Sequence, residues 1–468
     1  MGFSQCLCVR GSTYCSLNCE KNNNQELYRV GARSWQAYIS PTLWRIGNIK
    51  KESAMTAKKE RVVVTGMGIA SPLGCDVQEF WKNLIAGQSG VRSLEGGIFS
   101  GMHTKIGGVA WEYDENKYFD IKEIRRMSRS SQLGMVAAEQ AIVHAKLENG
   151  NVNREEIGVM VGSSIGGYSA ADSYFMHFYE TNRLSPYTIP VSMNIGPGSN
   201  ISIKHGFQGP LVNVDAACST AAHTIGNAFN MIRNGSLQVA VTGAADTPFS
   251  PGVVESWMAL RAVSTRDDNP AEACRPFSAD RDGMVLGEGA GILVIEAESH
   301  ALQRGIPILA ELKGYGASAD SHHLTQPSQK GPALAMRRAL EDAGLTIADV
   351  DYINAHATGT EWNDKNETNA IKEVFGERAY QIPVVGNKAA FGHSIAGSGA
   401  LELIGCVLSL RDQVVPPTIN YKVPDPDCDL DYVTEGKRSL PLKNIMSNSF
   451  AFGGSNAVLI VGKYEAAS

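Results

Sequence analysis

Leu211-Val-Asn-Val-Asp215-Ala-Ala-Cys218-Ser-Thr220-Ala-Ala222-His-Thr-Ile225-Gly-Asn-Ala-Phe229-Asn-Met-Ile232-Arg-Asn234-Gly235, followed by Val239-Ala-Val-Thr-Gly243, is the stretch that decides the fold. Residues 211–215 read as a buried strand, and Ala222, Ile225, Phe229 and Ile232 recur on one helical face. Asn234-Gly235 is a helix stop, and 239–243 reads as the next strand. Strand, helix and strand make a βαβ unit, whose two flanking strands run parallel. Cys218 falls where the strand passes into the helix; exposed N–H groups and the helix dipole there favour thiolate. Ala216, Ala217 and Ser219 are small and leave room for a substrate carbonyl. On position alone two readings stand: a nucleophile, or the small buried hydrophobe that most free cysteines are.

The same alternation continues on both sides. Upstream, Arg61–Thr65 is a strand opening into a loop, Gly66-Met-Gly68-Ile-Ala-Ser71. That loop lacks the third glycine, the immediate helix and the acidic partner of a dinucleotide site. Downstream, the pattern predicts strands at 350–353 and 383–386, helices at 364–375 and 400–410, and a hairpin of 445–452 with 457–461. No low-complexity linker intervenes, so two halves, 60–305 and 306–464, are expected in one body.

Two histidines lie just beyond predicted parallel strands, the edge where α/β proteins place their sites. They are His356 in Asn354-Ala-His356-Ala-Thr358-Gly-Thr360 and His393 in Asn387-Lys388-Ala-Ala-Phe391-Gly392-His393-Ser394. Either alone reads more readily as structural than as catalytic. With Cys218 at a third strand end, they point to one site.

These segments, with Asn448-Ser-Phe450-Ala-Phe452-Gly-Gly454, Cys274-Arg-Pro-Phe277-Ser-Ala-Asp280-Arg and Gly287-Glu288-Gly-Ala-Gly291, resemble the ordered motifs of elongating 3-oxoacyl-(acyl carrier protein) synthases, the type II ketosynthases. The resemblance runs from about residue 60 to 463. It implies an α/β thiolase-like fold, two similar halves each with a five-stranded mixed sheet and helices in layers, usually as a homodimer. It implies decarboxylative condensation of an acyl thioester on Cys218 with malonyl-carrier protein, using no metal and no cofactor beyond the carrier's phosphopantetheine. By motif position, the backbone N–H groups of Cys218 and Phe452 form the oxyanion hole, and His356 and His393 stabilise the enolate. Phe450 and Phe452 wall off water, Thr358 and Thr360 bind the pantetheine arm, and Ile165 lines the far end of the acyl pocket. Lys388 either orients a network that includes Glu367 or forms a plain structural ion pair. No catalytic role falls to Cys274.

The second histidine separates this pattern from initiating synthases, which carry Asn there. The Phe450–Gly454 segment separates it from thiolases, which carry a second Cys. Cys218 separates it from partner subunits that lack the nucleophile. Ala357, Glu361-Trp362-Asn363, Gly386-Asn387 and Phe391 depart from the family pattern and suggest an unusual acyl chain. Primary fatty-acid elongation and a specialised acyl or polyketide pathway both stay open. Arg125, Arg126 and Arg129 read either as a carrier-docking patch or as a solvated helix face.

Composition narrows the class. Of 468 residues, 43% are hydrophobic and 19% charged, enough for a core without disulfide or metal staples. A net charge of −6 with no basic stripe argues against nucleic acid, and no run of ~20 apolar residues is present to insert in a membrane. Nine cysteines in no regular framework suit a reducing compartment, the cytoplasm.

Residues 1–54 hold Cys6, Cys8, Cys15 and Cys19 but no sustained periodicity and no metal-site spacing. They read as a leader: a transit segment, which would make the protein organellar, or a mis-set start. Lys51-Glu52 can be encoded AAG-GAG, a ribosome-binding sequence just ahead of the Met55 codon. Translation is therefore expected to begin at Met55. Intact mass of the native protein checks this, and a mass that includes residues 1–54 rejects it.

Overall fold

The computed structural model describes residues 59–466 apart from 97, 98, 100–102, 150 and 151. The chain divides into the units Met1–Lys58 and Lys59–Ser468, and the leader assignment falls outside the described residues.

Ten strands form the main sheet: β1 (Val62–Ala70), β2 (Ile157–Gly162), β3 (Leu211–Val212), β4 (Val239–Asp246), β5 (Gly289–Ala297), β6 (Ala310–Ala319), β7 (Tyr352–Asn354), β8 (Val384–Val385), β9 (Asn444–Ala451) and β10 (Ser455–Gly462). Their order is β8-β7-β9-β10-β6-β1-β5-β4-β2-β3. Each set of five repeats one pattern. In the first, β3, β2 and β4 are parallel neighbours while β5 and β1 add antiparallel. In the second, β8, β7 and β9 are parallel while β10 and β6 add antiparallel. The two five-stranded mixed sheets meet edge to edge where Val62–Val64 pair antiparallel with Ala310–Leu312.

Helices cover both faces. Helix α1 (Arg129–His144) packs on β1, and α2 (Lys330–Ala343) on β6. On the other face α3 (Thr220–Arg233) packs on β4, α4 (Ser398–Asp412) packs on β5 and β9, and the two helices touch. Every residue of α4 from Ser398 to Leu410 is buried, which explains its apolar composition all round.

Two sequence expectations change. The Gly66–Ser71 segment is not a loop: β1 runs on to Ala70, with a bulge between Val64 and Gly66. A Cβ on Gly66 or Gly68 would lie 2.2 and 2.0 Å from the Ala141 and Ala137 carbonyl oxygens of α1. In β6, Gly314 and Gly316 stand likewise, 2.5 and 2.1 Å from the Ala339 and Ala335 oxygens of α2. The Gly-x-Gly pair is thus a packing device, used once in each half, that lets a helix backbone approach a strand backbone.

The segment 211–215 is not a buried strand either. Only Leu211–Val212 pair, at the free edge of the sheet, and Leu211 is exposed. Strands β3 and β4 do run parallel as expected, but β2 lies between them.

Candidate active site

The ends of three segments converge. After β3 the chain enters a 3₁₀ turn, Ala217–Ser219, and then α3, leaving Cys218 at the mouth of the helix. Ala217 takes φ +46°, a left-handed conformation that costs a non-glycine residue energy and turns the next side chain sharply. His356 follows β7, with Ala357 at φ +45°; that geometry explains why glycine suits this position. His393 follows the short helix Lys388–Phe391 beyond β8, and Ile395 sits at φ +46°.

The Cys218 sulfur and one ring nitrogen of each histidine lie within 4.8 Å of one another, and all three residues are buried. The two rings stand edge to face, with centroids 5.4 Å apart. Phe450 packs edge-on against His356 at 5.9 Å.

Hydrogen bonds fix the tautomers. Ser398 Oγ accepts the Ser394 N–H at 2.8 Å, so its own hydrogen is free to point to His393 Nδ1 at 2.9 Å. The Lys388 ammonium stands 3.4 Å from His356 Nδ1, which must present its lone pair. Neutral His356 therefore carries its hydrogen on Nε2, and His393 Nε2 has no hydrogen-bond partner among the described residues. Burial, reinforced by the Lys388 charge, holds both imidazoles well below their ordinary 6.5, so both are neutral at neutral pH. Cys218, His356 and His393 are also a group close enough to hold a metal ion. Two N–H groups pointing inward and a nearby ammonium oppose a cation there.

The expected thiolate does not appear. Burial pushes the Cys218 thiol up to about 12, outweighing the opposing pull of Lys388. The N–H groups at the helix mouth are thus better placed to receive an oxyanion than to ionise the resting sulfur.

Lys388 is fully buried and donates to Glu402 at 2.5 Å and to the His356 carbonyl oxygen at 2.6 Å. Its ion partner is Glu402, not Glu367. Burial raises the Glu402 carboxyl to about 7, while Lys388 pulls it back. Glu367 instead accepts the N–H groups of His356 and Ala357, both at 2.8 Å, and the Asn448 amide at 3.1 Å. It holds the His356 loop from the other side. Ser398 and Glu402 were missed by sequence reasoning, although Glu402 is the one charged residue in the apolar run 398–410, a legible signal of a buried partner.

A cavity of about 490 Å³ opens onto this centre and is lined by Cys218, His356, His393, Thr358, Thr360 and Phe450, among others. The Thr358 and Thr360 hydroxyls bond each other at 2.8 Å. Phe452 lines the same cavity; the residue is 37% exposed and its ring stacks on Trp257 at 5.8 Å, while Phe450 packs on His356. Trp362, 62% exposed, also borders the cavity. Ile165 does not line it, but packs in the apolar cluster around Cys218 with Val109, Phe249 and Val254. Arg125 and Arg126 are exposed, whereas Arg129 is committed to buried Glu288 at 2.6 Å and drops out of any docking patch.

The chain matches the model of the beta-ketoacyl synthase N-terminal domain over residues 59–301 and that of the C-terminal domain over 309–422. It is 38% identical over 412 residues to 3-oxoacyl-[acyl-carrier-protein] synthase 2 of Synechocystis sp., covering 87% of this chain and 99% of that protein. It is 41% identical over 401 residues to nodulation protein E of Rhizobium meliloti, covering 85% and 98%. Among solved structures, the AntDE:AntF complex, a type II PKS acyl-carrier protein with its ketosynthase, matches with a TM-score of 0.81 and 32% identity, covering 87% of this chain and 100% of the matched one. Joined to a buried cysteine facing two histidines at the ends of a duplicated sheet, these likenesses leave one conclusion: the chain belongs to the beta-ketoacyl synthase family.

Proposed function

We propose that this chain is an elongating 3-oxoacyl-(acyl carrier protein) synthase, with carrier proteins delivering both substrates. The observation that carries the reading is the meeting of Cys218 with two neutral Nε2–H imidazoles in one buried, Phe450-walled pocket. Relatives bearing that enzyme's name support it.

In the first half-reaction Cys218 Sγ attacks the acyl thioester. The N–H groups of Cys218 and Phe452 receive the oxyanion. Collapse expels the pantetheine sulfur, which ends with the proton that Cys218 loses. In the second, the malonyl carboxylate leaves as CO2, and His356 and His393 donate from Nε2 to the developing enolate oxygen. The enolate carbon attacks the Cys218 thioester; the expelled thiolate takes up one hydrogen ion from bulk solvent, which balances the carboxylate charge lost with CO2, a step its raised affinity favours. Phe450 keeps the site dry, and Thr358 and Thr360 meet the pantetheine arm at the cavity wall. Lys388, anchored by Glu402, is a positioning residue: it keeps His356 Nδ1 unprotonated. Glu367 fixes the same loop through its backbone. Ile165, in the apolar cluster around Cys218 rather than at the cavity wall, stands nearest to an acyl chain carried on the sulfur.

Acylation of Cys218 is expected when the protein meets an acyl-carrier protein, with a product two carbons longer once malonyl-carrier protein is added. Cys218→Ala should abolish both. Intact mass spectrometry reads each step, and a wild-type protein that no donor acylates overturns the reading in favour of a partner subunit. Relatives carry both the synthase and the nodulation-protein names, so the chains accepted in this assay choose between primary and specialised pathways.

Both rings should remain neutral Nε2–H tautomers between about pH 8 and 6.5, as read by nitrogen-15 NMR of labelled histidine. Since the folded values lie below 6.5, the unfolded chain takes up these protons first as pH falls. The pair's contribution to stability is therefore lost progressively below about pH 6.5. A ring that titrates in the native protein near neutrality rejects the paired-donor role.

A second copy of this chain is the partner best suited to the free β3 edge. Unpaired backbone there adjoins exposed Leu211 and Ile203, with Ile189 and Met193 shortly before in the chain. Light scattering should give twice the chain mass, and Ile203→Asp should shift it toward monomer; a monomeric wild type removes the homodimer.

A further inference from the structure

Asp246 ends β4 and is fully buried. Its partners come from segments far apart in sequence. One is the turn after β2: Ser163 Oγ and the N–H groups of Ser164 and Ile165 all donate to the carboxylate at 3.2 Å. Another is the loop after His393, where the Ala396 N–H donates at 3.3 Å, directly after strained Ile395. Its own neighbour Thr247 supplies an N–H at 3.2 Å. Burial drives the carboxyl up to about 6, and these N–H groups work against the rise.

The turn after β2 reaches the nucleophile in its turn. Ser164 Oγ meets Thr220 Oγ1 at 2.8 Å and the Ala217 carbonyl at 3.4 Å, while Thr220 Oγ1 accepts the Ala216 N–H at 2.8 Å. These bonds surround the strained Ala217 that aims Cys218. One buried carboxylate thus joins the His393 loop, the wall residue Ile165 and, through Ser164, the turn that carries Cys218. Each bond is long and individually weak, but the carboxylate is their common acceptor, and it adds a polar tie to the direct packing of the turn Ala217–Ser219 on Ile395–Gly397.

We infer that Asp246 is a positioning residue that keeps the His393 loop in register with Cys218, so that the enolate forms where the thioester waits. This rests on the condensing reaction proposed above. The Ala396 and Ser164 N–H groups share the Oδ2 oxygen, so an Asn that turns its NH2 there loosens both, but Ser164 stays tied to Thr220 and to the Ala217 carbonyl through its hydroxyl while the His393 loop loses its tether. Removing the Ser164 hydroxyl does the reverse.

The test measures two half-reactions on the full-length protein: acylation of Cys218 by an acyl-carrier protein, and CO2 release from malonyl-carrier protein. Asp246→Asn should slow CO2 release about 100-fold while acylation changes less than about threefold, at unchanged KM for the malonyl substrate. Ser164→Ala should give the opposite split. Thermal unfolding of each variant supplies the control, since a merely structural loss lowers both half-reactions together. Parallel loss, or no loss, in both variants overturns the inference. If Asp246→Asn does not fold, Ser164→Ala decides alone: slowed acylation with normal CO2 release supports the link, and equal effects refute it. A wild type inactive in both half-reactions would instead indict the condensing reaction itself.

Discussion

A helix backbone lying against a strand backbone is the constraint on which the rest of the molecule depends. Where Gly66 and Gly68 stand in β1, any side chain would strike the carbonyls of α1, and Gly314 and Gly316 meet α2 in the same way. These contacts press one helical layer onto the two central, hydrogen-bonded strands of the ten-stranded sheet. With that layer fixed, α3 and α4 occupy the opposite face in mutual contact, and their N-terminal ends approach one another. Cys218 precedes one of those ends and His393 the other.

Within the site, burial governs the electrostatics. It raises Cys218, Asp246 and Glu402 and lowers His356 and His393, each toward its neutral form. The Lys388–Glu402 pair is the charge the structure keeps beneath the site, and desolvation of that pair is offset by its short contact and by the His356 carbonyl. One ammonium thereby sets the tautomer of the His356 imidazole, and one serine hydroxyl, Ser398, anchors Nδ1 of His393. Two loops with different supports end up presenting the same atom to the substrate.

The strained backbones at Ala217, Ala357 and Ile395 belong to this arrangement. Each lies within two residues of a group that faces the cavity, and each is held by side chains: Ser164 donating to and Thr220 accepting from the first turn, Glu367 accepting at the second, Asp246 accepting beside the third. Such conformations persist only where neighbouring bonds over-determine them.

The sequence by itself determined most of the element types, though not the strand at Gly66–Ala70 or the short edge strand at Leu211–Val212, and it determined the placing of a helix-mouth cysteine and two histidines beyond strand ends, and the family, because periodicity, turn residues and motif order are local properties of the chain. Thr358, Thr360 and Phe450 were legible for the same reason. Only the tertiary structure decided which groups touch: that Lys388 pairs with Glu402 rather than Glu367, that Arg129 is consumed by Glu288, that Phe452 stacks on Trp257, and that Cys218 rests as a thiol. Those outcomes turn on burial and on contacts between residues 14 to 195 positions apart. A linear pattern carries no record of which distant side chain will remove water from another.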